Sequence, residues 1–419
     1  MYLQAGDRPI VQKYGGTSVG TVERISSIAA RIAAQVAAGN HRIAVVVSAM
    51  SGETNRLVDL VRQINPAADD RNYDLAVSAG EQVSVALMAA ALEKEGIAAR
   101  GFLGYQLGIL TDSSHARARI RSIDCQKLHD SWDQGCLPVI AGFQGVTTDL
   151  EITTLGRGGS DTSAVALAVA LGAAFCEINT DVNGVYTADP RMVKSAKLAR
   201  TMDFEVALEM ASLGSKVLHS RCVELGAKYE MPILVRSTFN QDESIRTEIM
   251  NYTEGQRLEA PVVSGITVDQ NVARITVDGL PANPGIIPEI FNLIGEQGIN
   301  VDIIVHNQPA KEKFMNLGFT INREDVQRTL TALDDWKKSW PDHPVVAGVE
   351  DDLVKVSVVG LGMRSHSGVA SKTFTILARA GIDLHMISTS EIKISCVLAA
   401  ADGSRAANAL HEAFIENGE

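Results

Sequence analysis

Short apolar runs alternate with helical stretches along the first part of the chain. Residues 10–14 and 42–49 are rich in Ile and Val and end in Gly/Ser turns, whereas Val22–Ala38 is Ala-rich with helical spacing. The same alternation recurs farther on, at 137–141, 164–171, 177–179 and 233–235. This order predicts an α/β fold in which a mostly parallel sheet is covered by helices on both faces.

The pattern changes after Ser237, where a polar stretch begins that has no sustained apolar spacing. Beyond it the chain repeats itself: Ile275–Leu280 resembles Val356–Leu361, and Gly298-Ile299 matches Gly381-Ile382. Each copy reads as strand, Gly turn, helix and second strand, and the helices are predicted at 287–297 and 370–380. The predicted domains are 1–240, a linker at 241–261, and two modules at 262–340 and 341–419.

Composition narrows the classes of protein. Fifty acidic residues against 38 basic ones give a net charge of −12, and there is no basic cluster, which argues against nucleic acid and anionic membranes as partners. The five cysteines form no CxxC pair, so reduced thiols and no metal site are expected. The N-terminus resembles no leader and no membrane-length apolar window is expected, which predicts a cytoplasmic protein.

Three dense Gly/Ser/Thr segments point to the chemistry. They are Lys13–Ser18, Gly156–Ser163 and Thr180–Arg191. Small residues let backbone N–H groups approach an anion, and the first segment places Lys13 at the end of a strand before two glycines. Because the GxxxxGK[ST] pattern is absent, this is not a Walker P-loop. Together the segments predict a phosphoryl-transfer site at the carboxyl edge of the sheet.

Each candidate also has a plainer interpretation. A Gly-Gly turn after a strand is often only a turn, and Ser160–Ser163 would cap a helix in any protein. The helix-cap interpretation does not explain Arg157, whose planar guanidinium group suits a carboxylate or phosphate. Glu81 is either a favourable charge near a helix N-terminus or the partner of an ammonium group. Lys216 is either a further cation of the site or a solvated helix lysine.

Taken in order, these segments resemble those of aspartate kinases, and the resemblance covers essentially the whole chain. The matching stretches are Lys13–Val19, Val47–Asn55, Gly80-Glu81, Thr153–Asp161, Thr180–Arg191, Lys216–His219, Gly362–His366 and Ser388–Ser395. The resemblance implies a three-layer amino-acid kinase domain followed by two ferredoxin-like ACT domains, and a homodimer or larger homo-oligomer. It further implies transfer of a phosphoryl group from ATP, with Mg²⁺, to the side chain of L-aspartate, at the head of lysine, threonine and methionine biosynthesis.

The resemblance also assigns residues to roles. Those implied for catalysis are Lys13, Arg157 and Asp161. Those implied for binding the substrate are Ser48, Thr54, Glu81, Arg157 and Ser160, with Arg157 on the α-carboxylate and Glu81 on the ammonium group. Those implied for binding ATP are Lys13, Gly15, Gly16, Ser18, Thr180, Asp181, Tyr186, Arg191 and Lys216. A carboxylate with a pKa near ~4 is already an anionic nucleophile at neutral pH, so the lack of a catalytic histidine is expected.

The repeated modules depart from the family pattern. The usual Pro-Asp-x-Pro-Gly turn is Pro281–Gly285 here, with Ala282 in place of the acid, and the usual Gly-Ile-Asn of the second module ends in Asp383. The residues expected to bind an effector are Asn283, Gly285, Asn300, Asp302, Asn307 and Asp383. Since an amino-acid effector needs an acceptor for its ammonium group, we predict weakened or altered feedback by lysine or threonine. The alternative is neutral drift with the pocket intact.

Two other functions fit parts of the chain. One is an amino-acid kinase that acts on a different carboxylate or carbamate. The other is a catalytically silent ACT-domain regulator that only binds amino acids. The second is disfavoured because Lys13, Glu81, Arg157 and Asp161 are all retained.

Overall fold

The computed structural model describes residues 6–215, 217–252, 261–307, 314–340 and 343–417. These residues form two compact units. The first comprises 6–186, 197–212 and 217–252, and the second comprises the remaining described residues, at 187–196, 213–215, 261–307, 314–340 and 343–417.

The first unit is built from short strands that alternate with helices. Its strands are β1 (Ile10–Tyr14), β2 (Ile43–Val47), β3 (Ala99–Phe102), β4 (Leu110–Thr111), β5 (Ile120–Ser122), β6 (Leu137–Ala141), β7 (Gln144–Val146), β8 (Ile152–Thr154), β9 (Cys176–Thr180), β10 (Thr201–Met202), β11 (Ile233–Ser237) and β12 (Arg246–Ile249). Its helices are α1 (Val22–Ala37), α2 (Glu53–Ile64), α3 (Asp70–Val77), α4 (Ala79–Lys94), α5 (Gln126–Asp133), α6 (Gly159–Ala170), α7 (Phe204–Ser212) and α8 (Ser220–Lys228).

An eight-stranded sheet in the order β10-β12-β11-β9-β1-β2-β6-β3 forms the middle layer. The pairs β9–β1, β1–β2 and β2–β6 are parallel, as the alternating pattern predicts. The central strand β2 is buried along its whole length. Its alternate residues Ile43, Val45 and Val47 join the isoleucines of α1 in one core cluster. Each such side chain contributes about 1.5–3 kcal/mol when it leaves water. A smaller sheet, β5-β4-β7-β8, lies in the same unit.

The predicted linker 241–261 is wrong at residues 246–249, which form β12. This strand pairs antiparallel with β11, and Ile249 lies opposite Ile233 with both side chains fully buried. The strand is short and carries Arg246 and Glu248, so its pattern reads as polar linker. The two charges satisfy each other through an ion pair of 2.8 Å. Residues 253–260 of the predicted linker lie outside the described residues.

The expectation that no apolar stretch reaches membrane length also needs correction. The stretch Asp70–Lys94 spans α3 and α4 and contains a window with a mean hydropathy of 1.5. By length and composition alone, this stretch could cross a membrane. In the structure 44% of that window is buried inside the protein. Core helices pass the same test, and the buried Asp74 and Glu81 of this stretch are bonded to protein groups.

The second unit contains two copies of one module. Its elements are β13 (Gly265–Pro281), α9 (Ile286–Glu296), β14 (Ile304–Asn307), β15 (Phe314–Ile321), α10 (Val326–Lys337), β16 (Val346–Val359), α11 (Val369–Arg379), β17 (Met386–Thr389), β18 (Lys393–Ala399) and α12 (Gly403–His411). The strands form a six-stranded sheet in the order β14-β15-β13-β16-β18-β17. The helices predicted from the repeat are confirmed as α9 and α11.

The prediction that the two modules follow one another along the chain is wrong. Arg274–Asp278 of β13 pairs with Val346–Glu350 of β16, whereas Gly265–Asp269 pairs with Lys355–Val359. The first part of β13 therefore belongs to the second module, and Ile266 packs in the same core cluster as Val356. The boundaries 262–340 and 341–419 do not separate these cores, because two long strands are shared between them.

Candidate active site

Lys13 lies near the end of β1, beside the glycine turn. Its ammonium group is 2.5 Å from Oδ1 of Asp161, and both side chains are largely buried. A Cβ atom at Gly15 would lie 3.3 Å from the Lys13 Nζ atom, and one at Gly16 would lie 2.9 Å from the carbonyl oxygen of Ala49. The turn therefore leaves bare backbone next to a buried cation, which suits a phosphate group.

Asp161 lies in the first turn of α6, where the helix dipole favours a negative charge. Gly158, at the N-cap, has a φ of +69°, and Thr162 donates a hydrogen bond of 3.2 Å to its carbonyl oxygen. Ser160 is buried in the same turn. The expectation that Ser160–Ser163 cap this helix is wrong, because Gly158 is the N-cap and forms no side-chain cap bond. These residues lie inside the helix, in its first turns, together with the predicted catalytic carboxylate.

Glu81 is buried in the first turn of α4. The backbone N–H of Ala49 donates to its Oε1 atom at 3.0 Å, whereas Oε2 is buried without a hydrogen-bond partner among the described residues. Burial raises the pKa of Glu81 to about 7, an effect that the bond from Ala49 opposes. A buried carboxylate with one open oxygen is a suitable acceptor for an ammonium group.

Arg157 lies in the loop between β8 and α6, and its side chain is exposed. The preceding Gly156 has a φ of +77°, and a Cβ atom at Gly158 would lie 2.3 Å from the Cβ atom of His219. Burial lowers the pKa of His219, and the Asp161 carboxylate opposes this shift. The side chain of His219 also accepts a bond from the backbone of Arg221 and so caps α8.

The remaining substrate candidates follow neighbouring strands. Ser48 comes directly after β2, and Thr54 lies in the first turn of α2; both are partly buried. Since β1, β2 and β9 are parallel neighbours, Lys13, Ser48 and Thr180 lie at the same edge of the sheet. This is the edge at which the sequence predicts the site.

The predicted nucleotide residues divide into several groups. Thr180 donates to the Asp181 carboxylate at 3.2 Å, and Tyr186 forms a β-bridge with Leu198, all within the first unit. Arg191 belongs to the second unit, where it forms an ion pair of 2.7 Å with Asp189. Lys216 lies outside the described residues.

Ser18, which is predicted to bind ATP, lies inside the fold. Its side chain is fully buried, and its hydroxyl lies 2.6 Å from that of Thr238 and 3.3 Å from the carbonyl oxygen of Asn179. The hydroxyl is therefore engaged inside the fold rather than offered to a phosphate.

Sequence reasoning missed the groups that hold the loop before Arg157. Arg221 of α8 donates to the carbonyl oxygens of Leu155 at 2.9 Å and Ala118 at 2.7 Å. A signal was present, because Arg221 lies two residues after the Lys216–His219 stretch, but the sequence does not show which loop the side chain reaches.

The effector candidates do not line the cavity found in the second unit. Asp302 forms an ion pair with the buried Lys355, and Asn283 accepts a bond of 3.0 Å from the N–H of Gly285. A cavity of about 620 Å³ lies instead in the second module, with a lining of Met363, Arg364, His366, Gly368, Val369, Ala370, Thr389, Ser390, Glu391 and Ile394. In the internal repeat its Gly368 corresponds to Gly285.

Comparisons with known proteins agree with this geometry. The amino acid kinase family model matches residues 8–237, and an ACT domain model matches residues 356–414. The aspartate kinase of Pseudomonas putida is 46% identical over 405 residues, which cover 97% of each chain. The aspartokinase of Helicobacter pylori is 44% identical over 405 residues, covering 97% of this chain and 98% of its own.

Among solved structures, Escherichia coli aspartokinase III in complex with aspartate and ADP, in its R-state, has a TM-score of 0.79 and 25% sequence identity. The match covers 97% of this chain and 99% of the other. With the Lys13–Asp161 pair and the buried Glu81 at the carboxyl edge of such a fold, the chain belongs to the amino acid kinase family and, within it, to the aspartate kinases.

Proposed function

We propose that this protein transfers the γ-phosphoryl group of ATP to the side-chain carboxylate of L-aspartate, which gives 4-phospho-L-aspartate and ADP. The observation that carries the proposal is the Lys13–Asp161 ion pair beside the bare backbone of Gly15 and Gly16. The full-length similarity to aspartate kinases supports the choice of substrate.

The chemistry requires little from the protein besides position and charge. The attacking carboxylate is ionised at neutral pH, so no general base is needed. Lys13 neutralises negative charge that develops on the transferring group, and Asp161 holds the ammonium of Lys13 in place. The γ-phosphoryl–oxygen bond to ADP breaks as the bond to the aspartate oxygen forms.

Two charged groups recognise the substrate's α-carbon. Glu81 accepts the ammonium group through its open oxygen, and Arg157 binds the α-carboxylate with its planar fork. Ser48, Thr54 and Ser160 supply the remaining polar contacts. Recognition of both charges selects an α-amino acid over a simple dicarboxylic acid.

Mg²⁺ enters with the nucleotide in this proposal. Within the part of the chain that the structure describes, no group of three His, Cys, Asp or Glu side chains is arranged to hold a metal ion. A Mg²⁺ ion bound mainly by ATP phosphates and water fits such a site, because this ion retains several waters and needs few protein carboxylates. It would supply additional positive charge at the phosphates.

The nucleotide is bound by residues that follow strands β1 and β9. Gly15 and Gly16 offer their backbone to the phosphates, Thr180 and Asp181 follow β9 at the same edge, and Tyr186 offers an aromatic face to the base. By resemblance to aspartate kinases, Arg191 and Lys216 supply further positive charge to ATP.

The metabolic setting is proposed on the same basis. We infer that the product feeds lysine, threonine and methionine biosynthesis, that the ACT modules pair into a homo-oligomer, and that lysine or threonine is the effector. The free cysteines are consistent with a reducing compartment such as the cytoplasm. Feedback is expected to be weak, since Asp302 is engaged by Lys355 and the first turn carries Ala282 in place of an acid.

The proposal is tested by incubating the protein with ATP, Mg²⁺ and L-aspartate and trapping the acyl phosphate with hydroxylamine. We expect aspartyl hydroxamate in an amount equal to the ADP formed. Hydroxamate from another acid but not from aspartate would support a different amino-acid kinase. Absence of product with every acid would support the silent regulator.

A further inference from the structure

A buried carboxylate lies outside the groups assigned so far. Asp74 of α3 is fully buried, and protein donors surround it. The backbone N–H of Ala116 lies 2.9 and 3.1 Å from its two oxygens, and that of Thr154 lies 3.0 Å from Oδ2. The Thr154 hydroxyl donates to Oδ1 at 2.5 Å, and Nδ1 of His115 lies 3.0 Å from Oδ2.

These donors offset the cost of burying the Asp74 side chain. A buried carboxylate without partners would lose its hydration energy, whereas hydrogen bonds to a charged acceptor are stronger than those between neutral groups. His115 also lies 3.5 Å from Glu151, which in turn pairs with Arg71 at 2.6 Å. Asp74 is thus the inner end of a chain of polar groups that reaches the surface.

The groups that Asp74 holds form the base of the substrate loop. Thr154 ends β8, and Leu155, Gly156 and Arg157 follow it directly. The Thr154 carbonyl oxygen accepts a bond of 2.9 Å from Ala118, so both of its backbone polar groups are engaged. The position of Thr154 therefore determines where the loop that carries Arg157 begins.

The neighbouring loop is fixed at the same point. Ala116 has a φ of +61°, a conformation that costs energy for a residue with a side chain. The Asp74 carboxylate bonds to the N–H of this residue, and the carbonyl oxygen of Ala116 lies 3.0 Å from where a Cβ atom of Gly156 would be. The Asp74 carboxylate thus binds both segments next to Gly156, the end of β8 and the loop at Ala116.

The backbone of Asp74 bonds to the start of the helix that carries Glu81. The N–H of Ser78 donates to the Asp74 carbonyl oxygen at 3.1 Å at the junction of α3 and α4. Gln144 donates to the Ser78 carbonyl oxygen at 3.0 Å and fixes the junction from the sheet side. Glu81 follows in the first turn of α4.

We propose that Asp74 is a positioning residue for L-aspartate, which sets the separation between the Arg157 guanidinium and the Glu81 carboxylate. Asp74 touches neither substrate nor nucleotide in this account. Its carboxylate acts through Thr154 on the loop of Arg157. The same bonds anchor α3 to β8 and so position α4, which follows α3 and carries Glu81. The inference rests on the proposed function, since that assigns the α-carboxylate and ammonium groups of the substrate to these two side chains.

The test removes one bond without changing the shape of the core. Thr154→Val is nearly isosteric and deletes the hydroxyl that donates to Asp74, whereas Thr154→Ser keeps it. We expect Thr154→Val to raise KM for L-aspartate about tenfold or more, as expected for a lost bond to a charged group. KM for ATP should stay within about twofold, and Thr154→Ser should restore most of the affinity for aspartate.

A matched control lies one residue earlier. The hydroxyl of Thr153 is also buried and lies 2.7 Å from that of Thr111, on the opposite side of the strand from Asp74. Thr153→Val should lower the melting temperature to a similar extent but leave KM for L-aspartate near the wild-type value. His115→Ala, at a partly exposed donor, provides a second variant that leaves the strand intact.

The two proposals fail in different ways. Wild-type protein without aspartate-dependent ADP formation would overturn the proposed function. Wild-type activity together with unchanged aspartate affinity in Thr154→Val and His115→Ala, measured by titration calorimetry without ATP turnover, would overturn the role of Asp74. Equal losses of aspartate affinity in Thr153→Val and Thr154→Val, or no recovery with Thr154→Ser, would also overturn it.

Discussion

The ammonium group of Lys13 lies 2.5 Å from the carboxylate of Asp161, although the two residues come from β1 and from the first turn of α6. The pair therefore joins the glycine turn after the first strand to the N-terminus of a helix. Because it is largely buried, neither charge is satisfied by water alone. The arrangement holds a cation next to bare backbone, which is what a transferring phosphoryl group requires.

Replacing Lys13 tests this arrangement. Lys13→Met should lower kcat by about 10²–10³, the range found when one group that stabilises transition-state charge is lost. Turnover is measured by ADP release, and folding by circular dichroism and thermal unfolding. The control is Lys94→Met, which removes an exposed lysine at the end of α4. Near-normal turnover of a folded Lys13→Met protein would refute the role assigned to Lys13.

Glu81 should make the stability of the free protein depend on pH. Burial raises the pKa of its carboxyl group in the fold from the ordinary value of 4.5 to about 7. Between these values the folded state holds one proton more than the unfolded state, so the free energy of unfolding falls as pH rises. The loss reaches roughly 3 kcal/mol above the folded pKa. The prediction is checked by urea unfolding of the wild type and of Glu81→Gln at several pH values. The same dependence of unfolding free energy on pH in both proteins would contradict the prediction.

The same group should shape the pH dependence of catalysis. In the proposed mechanism the ionised form of Glu81 accepts the substrate ammonium, so kcat/KM for L-aspartate should fall as pH drops below about 7. The bound ammonium lowers the pKa of Glu81, so the fall in kcat should occur at lower pH. Glu81→Gln should remove the fall in kcat/KM below about pH 7. It should also lower kcat/KM about tenfold or more. Identical pH profiles for the two proteins would exclude Glu81 as the ammonium partner.

Gly158 should not tolerate a side chain. Its φ of +69° strains any other residue, and a Cβ atom would lie 2.3 Å from the Cβ atom of His219. Gly158→Ala should cost about 1–2 kcal/mol for the backbone and a further ~1–3 kcal/mol for overpacking. Gly172→Ala is the matched control, since Gly172 has a φ of +59° and nothing within 4 Å of its Cβ position. Equal losses of unfolding free energy would show that contact with His219 does not matter.

Feedback by amino acids should be weak in the natural sequence and improved by restoring an acid. Asp302 is engaged by Lys355, and Ala282 replaces the acidic residue of the first turn, so an effector's ammonium group lacks a strong acceptor. Ala282→Asp should increase inhibition by lysine or threonine. Ala401→Asp adds the same charge at another exposed site and serves as control. Micromolar inhibition of the wild type by either amino acid would contradict the prediction.

Much of the first unit can be read from local pattern. The predicted strand at 10–14 is β1, the predicted helix at 22–38 is α1, and the glycine segments do follow strand ends. These features depend on residues close in sequence, and small residues at strand ends are visible without a structure. The repeat in the second half likewise predicted α9 and α11, because both copies carry the same turn and helix pattern.

Partners distant in sequence could not be predicted in this way. Nothing in the letters of β13 indicates that its two halves pair with different parts of β16. The short charged strand β12 joins a sheet only because β11 provides an edge for it. Asp74 was missed for the same reason, since its importance comes from Thr154 and Ala116, which meet it only in the folded chain.

The most direct test of the central claim compares L-aspartate with L-asparagine in an ADP-release assay. Asparagine carries the same α-carboxylate and ammonium groups for Arg157 and Glu81, but its side-chain amide is not the anionic nucleophile that the mechanism requires. The account predicts ADP formation with aspartate, none above background with asparagine, and inhibition of the aspartate reaction by asparagine. ADP formation at the same rate with asparagine, or with no amino acid, would contradict transfer to the side-chain carboxylate.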